Sequence, residues 1–215
     1  MKTIGIVANG PDELIPDLDY YRDIIDIWIG ADRGSLIILN NGLQLDYALG
    51  DFDSISQQEE ITIERGSKSF TKFPAEKNET DIEIAIEKAL ELNGGRIYFF
   101  GVTGGRLDHE LINIQLLYTL LERKCSGIII DKSNCIEIVA PGSYEISSEE
   151  KFPNISFVPF SGNVKGLTLQ GFYYPLENYH LFLGSTRCIS NKLLLNNGTF
   201  SFNEGILLLI KSRDG

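Results

Sequence analysis

The sequence is poor in the residues that build disulfides, zinc sites and histidine-ligated metal centres. It has three cysteines and two histidines among 215 residues, and no two cysteines have the CxxC spacing of a zinc or redox motif. Widely spaced cysteines in an odd number predict free thiols in a reducing compartment, so we expect a cytoplasmic protein. Any metal is expected on oxygen ligands, which suit hard divalent cations.

Long apolar runs and excess positive charge are also missing. No stretch approaches the roughly 18 apolar residues of a membrane span, and the first residues read as a strand rather than as a signal peptide. Acidic residues outnumber basic ones by 30 to 19, which gives a net charge of −11. Because such a surface repels phosphate backbones and anionic lipids, neither nucleic acid nor membrane is expected as a partner. A phosphorylated substrate would need metal ions to bridge it to the carboxylates.

The first half alternates short apolar runs with segments of helical periodicity. Strands are predicted at 4–8, 24–29, 47–49, 97–100 and 128–130, and helices at 35–39, 79–92 and 107–124. Strands and helices that alternate through glycine-bearing loops are typical of an α/β domain with a largely parallel sheet. Ligands of such sheets bind at the loops that leave the carboxyl ends of the strands.

The pattern changes near residue 131, after which helical periodicity disappears. Strands are predicted at 135–140, 144–147, 155–160, 166–170, 180–183, 192–195, 199–202 and 206–210. Many short strands separated by turns indicate an antiparallel sandwich or barrel-like unit. We therefore predict a three-layer α/β domain over residues 1–131, followed by a β-rich domain over residues 132–215.

Asp51 and Asp53 stand two residues apart, directly after a predicted strand and a glycine. Two carboxylates at this spacing can reach one Mg²⁺, which proteins hold through one or two carboxylates together with phosphate oxygens. An Asx turn, or a helix N-cap at Asp53 or Ser54, explains the same pattern equally well. The position at the end of a strand favours the cation site modestly.

Two further polar segments stand at predicted helix starts. Lys77 and Asp81 open the helix predicted at 79–92, where a lysine can contact a phosphate. On local pattern alone capping is favoured, with Asn78 as the N-cap and Asp81 at the N3 position. Asp32 follows the strand predicted at 24–29 and, taken alone, also reads as an N-cap.

The segment 101–109 (GVTGGRLDH) joins an apolar strand to the second long helix. Its three glycines allow the loop backbone to approach a ligand closely, and Arg106 offers a forked donor to phosphate. It has neither the GxxxxGK[ST] nor the GxGxxG pattern. A ligand loop is favoured over a charged turn because Arg106, Asp108 and His109 cluster there.

In the second half, the hydroxyl-rich segment 184–191 reads as a hairpin loop, and Phe172, Tyr173 and Tyr174 are expected to pack within the β-rich domain.

The order of these segments resembles that of the bacterial thiamine pyrophosphokinases (thiamine diphosphokinases). The resemblance rests on GADRG at 30–34, LGDFDS at 49–54, FPAEK at 73–77 with Thr80 and Asp81, GGRLDH at 104–109, GST at 184–186 with Ser190 and Asn191, and SRD at 212–214. It implies an α/β domain followed by a β-sandwich, in a homodimer with the active site at the subunit interface. It also implies Mg²⁺-dependent transfer of a pyrophosphoryl group from ATP to the hydroxyethyl oxygen of thiamine, which releases AMP.

Matching positions carry the family's site residues onto this chain. The catalytic residues so implied are Asp51, Asp53, Asp81 and Asp108, of which the first three would hold the metal. Residues implied to bind ATP are Asn9, Asp32, Arg33, Lys77, Thr103, Gly104, Arg106 and His109. Thiamine would contact Ser185, Ser190 and Asn191 across the dimer interface. The chain departs from the family at Asn78, where an aspartate is usual, and at Trp28, its one tryptophan, which lies outside the β-rich half.

Other functions remain compatible with the residues. A non-catalytic module could bind an Mg–nucleotide through the α/β domain and sense a ligand through the β-rich domain. A metal-dependent nucleotidyl- or glycosyltransferase could use Asp51 and Asp53, but it would leave the C-terminal segments unexplained. No histidine is well placed as a general base, so we expect a carboxylate, Asp81 or Asp108, to take the hydroxyl proton.

Overall fold

The computed structural model describes residues 1–214, and the chain divides into two compact units, Met1–Lys132 and Ser133–Gly215. The first unit is an α/β unit. Its strands are β1 (Lys2–Val7), β2 (Ile27–Ala31), β3 (Leu45–Gly50), β4 (Ser67–Lys72), β5 (Gly94–Phe100) and β6 (Ser126–Ile130). Its α-helices are α1 (Gly34–Asn40), α2 (Gln57–Gly66), α3 (Asp81–Glu91) and α4 (Leu107–Glu122), and short 3₁₀ helices span Asp12–Leu14 and Leu18–Tyr21.

The six strands of this unit form a parallel sheet in the order β4-β3-β2-β1-β5-β6. Strands β2, β3 and β4 follow one another on one side of β1. The chain then crosses back, and β5 pairs with the opposite edge of β1. Because parallel crossovers are right-handed, α1 and α2 lie on one face of the sheet and α3 and α4 on the other. The sheet therefore has a topological switch point between β1 and β5.

The sequence explains these elements locally. Strand β1 is apolar on both sides, and Ile4, Ile6 and Val7 are fully buried, as expected for a strand covered by helices on both faces. Helix α3 buries Ile82, Ala85, Ile86 and Ala89, which recur at spacings of three and four. It begins with a capping box between Thr80 and Glu83. The predicted cap at Asn78 is therefore wrong by two residues. The helix starts later than the polar residues before it suggested.

The second unit consists of two antiparallel sheets. Its strands are β7 (Asn134–Val139), β8 (Gly142–Ser147), β9 (Asn154–Pro159), β10 (Val164–Gln170), β11 (Leu176–Leu181), β12 (Asn197–Phe202) and β13 (Leu207–Ser212). The strand orders are β7-β13-β9 and β11-β10-β12-β8. Phe157 from one sheet and Phe200 from the other share a buried core. The predicted fold class, a largely parallel α/β part followed by an antiparallel β part, is confirmed.

Some local predictions were wrong or missing. The strand predicted at 192–195 is absent: Leu193 forms one isolated bridge, and Leu194 and Leu195 are exposed. Helix α2 and strand β4 were not predicted. Cys125, Cys135 and Cys188 are buried free thiols, as expected. None of the helices in residues 1–214 is both long enough and apolar enough to cross a membrane.

Candidate active site

A cavity of about 530 Å³ lies at the carboxyl edge of the parallel sheet, beside the switch point between β1 and β5. The loops after β1, β2, β3 and β5 and the starts of α3 and α4 form its walls. Eight of the residues implied by the resemblance line it: Asn9, Asp32, Asp51, Lys77, Asp81, Thr103, Arg106 and His109. The fold thus gathers residues that are up to 100 positions apart in the sequence.

Asp32, Asp51 and Asp81 form the acidic side of this cavity. The Asp32 carboxyl group is partly buried and lies within hydrogen-bonding reach of the Asp81 carboxylate. Burial, followed by that hydrogen bond and the negative charges of Asp81 and Asp51, raises the pKa of Asp32 to about 7. Because the charges of Asp81 and Asp51 add to this shift, a cation placed beside the three carboxyl groups would be favoured.

The backbone around Gly50 brings the second and third strand loops together. A Cβ atom at residue 50 would lie 1.9 Å from Asp32 Oδ1, so any residue larger than glycine would displace the Asp32 carboxyl group. The Asp32 carboxylate accepts a hydrogen bond of 3.1 Å from the Phe52 N–H. The N-cap predicted for Asp32 is therefore wrong, because its side chain binds a loop 20 residues away.

The structure separates Asp51 from Asp53. Asp51 lines the cavity, whereas Asp53 is exposed and does not. Asp51 Oδ1 also accepts a 3.1 Å hydrogen bond from the Asp53 N–H, which is an Asx turn. The Asx turn predicted as the alternative to a cation site is therefore present, and the Asp51 carboxylate also lines the cavity.

Lys77 is the buried cation of the cavity. Its Nζ atom lies 2.6 Å from Asp81 Oδ1, and only 12% of its side chain is exposed. Burial opposes the charged form, but the hydrogen bond to Asp81 and the charges of Asp81, Asp51 and Asp32 outweigh it and raise the pKa of Lys77. Within residues 1–214, no three His, Cys, Asp or Glu side chains are arranged as a ready-made metal site.

The loop between β5 and α4 is held from three sides. The Thr103 hydroxyl donates to Asp131 Oδ2 at 2.8 Å, Asn113 Nδ2 donates to the Val102 carbonyl at 2.9 Å, and Glu110 Oε2 accepts from the Gly104 N–H at 2.9 Å. Gly101 and Gly104 have positive φ angles of 65° and 78°. The loop is therefore fixed, and glycine is needed where it turns.

Four implied residues of the first unit do not line the cavity: Arg33, Asp53, Gly104 and Asp108. Arg33 forms a bidentate pair with Asp12, at 3.1 and 3.0 Å, and lines a second cavity of about 440 Å³. Asp108 is exposed and binds the Arg106 guanidinium at 3.1 and 2.6 Å. That hydrogen bonding lowers the pKa of Asp108 to about 2, which makes it a poor proton acceptor.

In the second unit, Asn191 is 3% exposed and lines a cavity of about 220 Å³, whereas Ser185 and Ser190 do not line it. The Asn191 side chain accepts from the Tyr174 N–H at 3.0 Å and donates to the Tyr174 carbonyl at 2.9 Å. Tyr174 and Tyr173 are 62% and 63% exposed. The predicted packing within the β-rich domain is therefore confirmed for Phe172, which is fully buried, and wrong for the two tyrosines.

Several cavity residues were not predicted as site residues: Glu79, Thr80, Ile82, Glu110, Ile112 and Asn113. Glu110 and Asn113 follow Arg106 and His109 at spacings of four on α4, so helical periodicity could have identified them. For Glu79 and Thr80, no signal distinguished a cavity position from an ordinary helix start.

Comparison with known proteins matches both parts of the chain. The model of the thiamin pyrophosphokinase catalytic domain matches residues 18–129, and that of the thiamin pyrophosphokinase vitamin B1 binding domain matches residues 143–207. The chain is 49% identical to the thiamine pyrophosphokinase of Bacillus subtilis (strain 168), over 100% of both chains.

Solved structures agree. The crystal structure of the Bacillus subtilis thiamine pyrophosphokinase matches with a TM-score of 0.94 and 48% identity over 100% of both chains. The yeast thiamin pyrophosphokinase, at 16% identity, has the same fold, with a TM-score of 0.81 over 99% of this chain and 86% of that one. The resemblance inferred from the motifs is confirmed: the chain belongs to the thiamine pyrophosphokinase family.

Proposed function

We propose that this chain transfers the terminal pyrophosphoryl group of ATP to the hydroxyethyl oxygen of thiamine, giving thiamine diphosphate and AMP. Family membership over the full length supports this activity. The observation that carries it in the structure is the cavity at the switch point, where Lys77 and Arg106 stand beside Asp32, Asp51 and Asp81. Such a site can hold a polyphosphate only with the help of cations.

The reaction needs little covalent participation by the protein. The thiamine oxygen attacks the β-phosphorus of ATP, the bond from that phosphorus to the α–β bridging oxygen breaks, and AMP leaves with the electron pair. Lys77 and Arg106 bind and orient the phosphate oxygens, because phosphoryl-type transfer depends mainly on positioning and charge neutralisation. Of the two candidate bases, Asp108 is disfavoured, because it lies outside the cavity and its carboxylate is held by Arg106.

The carboxylates fit a hard divalent cation such as Mg²⁺. Asp51 and Asp81 present oxygen donors to the cavity, and the Asp32 carboxyl group lies within hydrogen-bonding reach of Asp81. We therefore assign Asp32, Asp51 and Asp81 as the residues that would hold Mg²⁺ together with phosphate oxygens. Asp53 then acts by shaping the turn through its N–H bond to Asp51. When bound, Mg²⁺ neutralises charge on the transferred and leaving phosphates.

Thiamine binding is assigned to the second unit, around Ser185, Ser190 and Asn191, at an interface between two copies of the chain in a homodimer. Several large apolar side chains of this unit are exposed and supply surface that such an interface would cover. They include Tyr173, Phe182, Leu183, Ile189, Leu194 and Leu195. The buried free thiols favour a cytoplasmic location for the enzyme.

Incubation of the protein with ATP, Mg²⁺ and thiamine, followed by chromatography, tests the proposal. We expect AMP and thiamine diphosphate in equal amounts, and neither product when thiamine is omitted. Nucleotide binding without AMP formation would instead support a non-catalytic module. Release of inorganic pyrophosphate would indicate a nucleotidyltransferase.

A further inference from the structure

The Lys77 side chain is partly buried in the cavity, where it contacts Asp81. Its Nζ atom lies 2.6 Å from Asp81 Oδ1, the two side chains are 12% and 25% exposed, and Nζ lies 5.8 Å from the centre of the Phe73 ring. The charges of Asp51 and Asp32 also act on this ammonium. The ammonium therefore contacts Asp81 directly and also interacts electrostatically with the other two carboxylates.

A role in helix capping does not explain this position. Helix α3 already begins with the Thr80–Glu83 capping box, which satisfies its first amides. The other short-range lysine pair among residues 1–214, Lys88–Glu91, is more exposed, with side chains that are 32% and 68% exposed. The Lys77–Asp81 pair is the more enclosed of the two, and it lies inside the cavity.

We infer that in the free protein the Lys77 ammonium takes the place of a divalent cation beside Asp32, Asp51 and Asp81. Its charge then keeps the affinity of the free protein for divalent cations low. This inference rests on the proposed function, which places a divalent cation at these carboxylates. An oxygen that already accepts from an ammonium is a weaker ligand for a second cation, since like charges repel at this distance. A triphosphate removes this conflict because its oxygens offer the ammonium another partner.

Lys77 thus couples metal and nucleotide binding. Without nucleotide, a divalent cation must compete with a tethered ammonium. With nucleotide, Lys77 can donate to phosphate and leave the Asp81 oxygens free. The lysine would therefore favour binding of the metal and the nucleotide together over binding of the metal alone.

The test measures Mn²⁺ binding to the nucleotide-free protein by electron paramagnetic resonance and calorimetry. Lys77→Met should raise the affinity for Mn²⁺ by at least about tenfold, since a charge at such short range shifts an ionic equilibrium by about 1–3 powers of ten. Lys77→Arg keeps a cation at the site and should bind Mn²⁺ as weakly as the wild type.

Lys72→Met is the matched control, because it removes the same charge from an exposed lysine that pairs with Glu60 outside the cavity. It should leave Mn²⁺ binding unchanged. Equal Mn²⁺ affinity of the wild type and Lys77→Met would overturn the inference. Tight Mn²⁺ binding by Lys77→Arg would also overturn it. The arginine variant keeps the ion pair, so it tests the inference even if the methionine variant is unstable.

A separate measurement distinguishes failure of this inference from failure of the proposed function. Wild-type protein is titrated with Mn²⁺ in the presence of a non-hydrolysable ATP analogue. Binding in this mixture, together with unchanged affinity in Lys77→Met, would reject the role of Lys77 alone. Lack of any protein-bound Mn²⁺ in the mixture would reject the metal–nucleotide site itself, and the inference with it.

Discussion

Thr103 and Asp131 are joined by a buried hydrogen bond, in which the Thr103 hydroxyl donates to Asp131 Oδ2 at 2.8 Å. The two residues are 6% and 3% exposed. Asp131 follows β6 directly, so the bond ties the loop after β5 to the end of the neighbouring strand. The hydroxyl hydrogen of Thr103 is therefore used within the protein. Besides the ATP binding that the resemblance implies, we assign Thr103 a second role, which is to position the loop.

Thr103→Val should destabilise the protein by about 1–3 kcal/mol, because it removes a partner from a buried carboxylate. Thr103→Ser keeps the hydroxyl and should lose much less. Urea unfolding of both variants measures the difference. The valine variant should also raise the KM for ATP, since its loop is less firmly placed. Equal stability of the valine and serine variants would contradict this account.

Asp51→Asn should lower kcat by about 100-fold or more while the protein stays folded, because it removes a charge that lines the cavity. Asp53→Asn should have a clearly smaller effect, since Asp53 is exposed and contributes its backbone N–H rather than its carboxylate. AMP release under saturating substrates compares the two variants. A larger loss in Asp53→Asn would mean that the loop rearranges when substrates bind.

Much of the fold could be predicted because its signals are local. The apolar strand β1 and the periodic helix α3 follow from patterns within ten or so residues. Helix α2 was missed although Ser56 and Glu59 form a capping box, because the helix buries only Ile63 and so shows little apolar periodicity.

The arrangement of the site was less predictable because it depends on long-range contacts. Local spacing treats Asp51 and Asp53 alike, whereas in the structure only Asp51 lines the cavity. Asp32 itself reads as a cap until its bond to Phe52 is known. The motifs therefore predicted a set of site residues, while the sheet order decided which of them line one cavity.

Asn191→Ala should destabilise the second unit, because the side chain binds both backbone groups of Tyr174 and accepts from the Lys192 N–H at 2.9 Å. Burying these groups without partners should cost about 1–3 kcal/mol. Ser185→Ala, which removes only a 3.3 Å bond from the Arg187 N–H, is the control and should change stability little. Thermal unfolding measures both. A stable Asn191→Ala variant with impaired thiamine binding would instead indicate direct contact with thiamine.

Cys135 should make stability fall at alkaline pH. Burial, aided by the charge of Glu137, raises the pKa of its thiol to about 12, although Lys211 opposes this, and Glu149 and Lys151 also act on it. Because the pKa in the folded state lies above that in the unfolded state, the neutral thiol contributes stability that is fully present below about pH 8.5.

This contribution is lost as the pH rises from there toward 12, with a slope of at most about 1.4 kcal/mol per pH unit. Urea unfolding in reducing buffer between pH 7 and pH 10 should therefore show a steeper loss of stability for the wild type than for Cys135→Ala, which has no thiol to ionise. Staying at or below pH 10 limits the titration of Lys211, whose pKa is raised by its ion pair with Glu149 despite its burial. Parallel pH profiles for the two proteins would show that the Cys135 thiol ionises as readily in the folded state as in the unfolded chain.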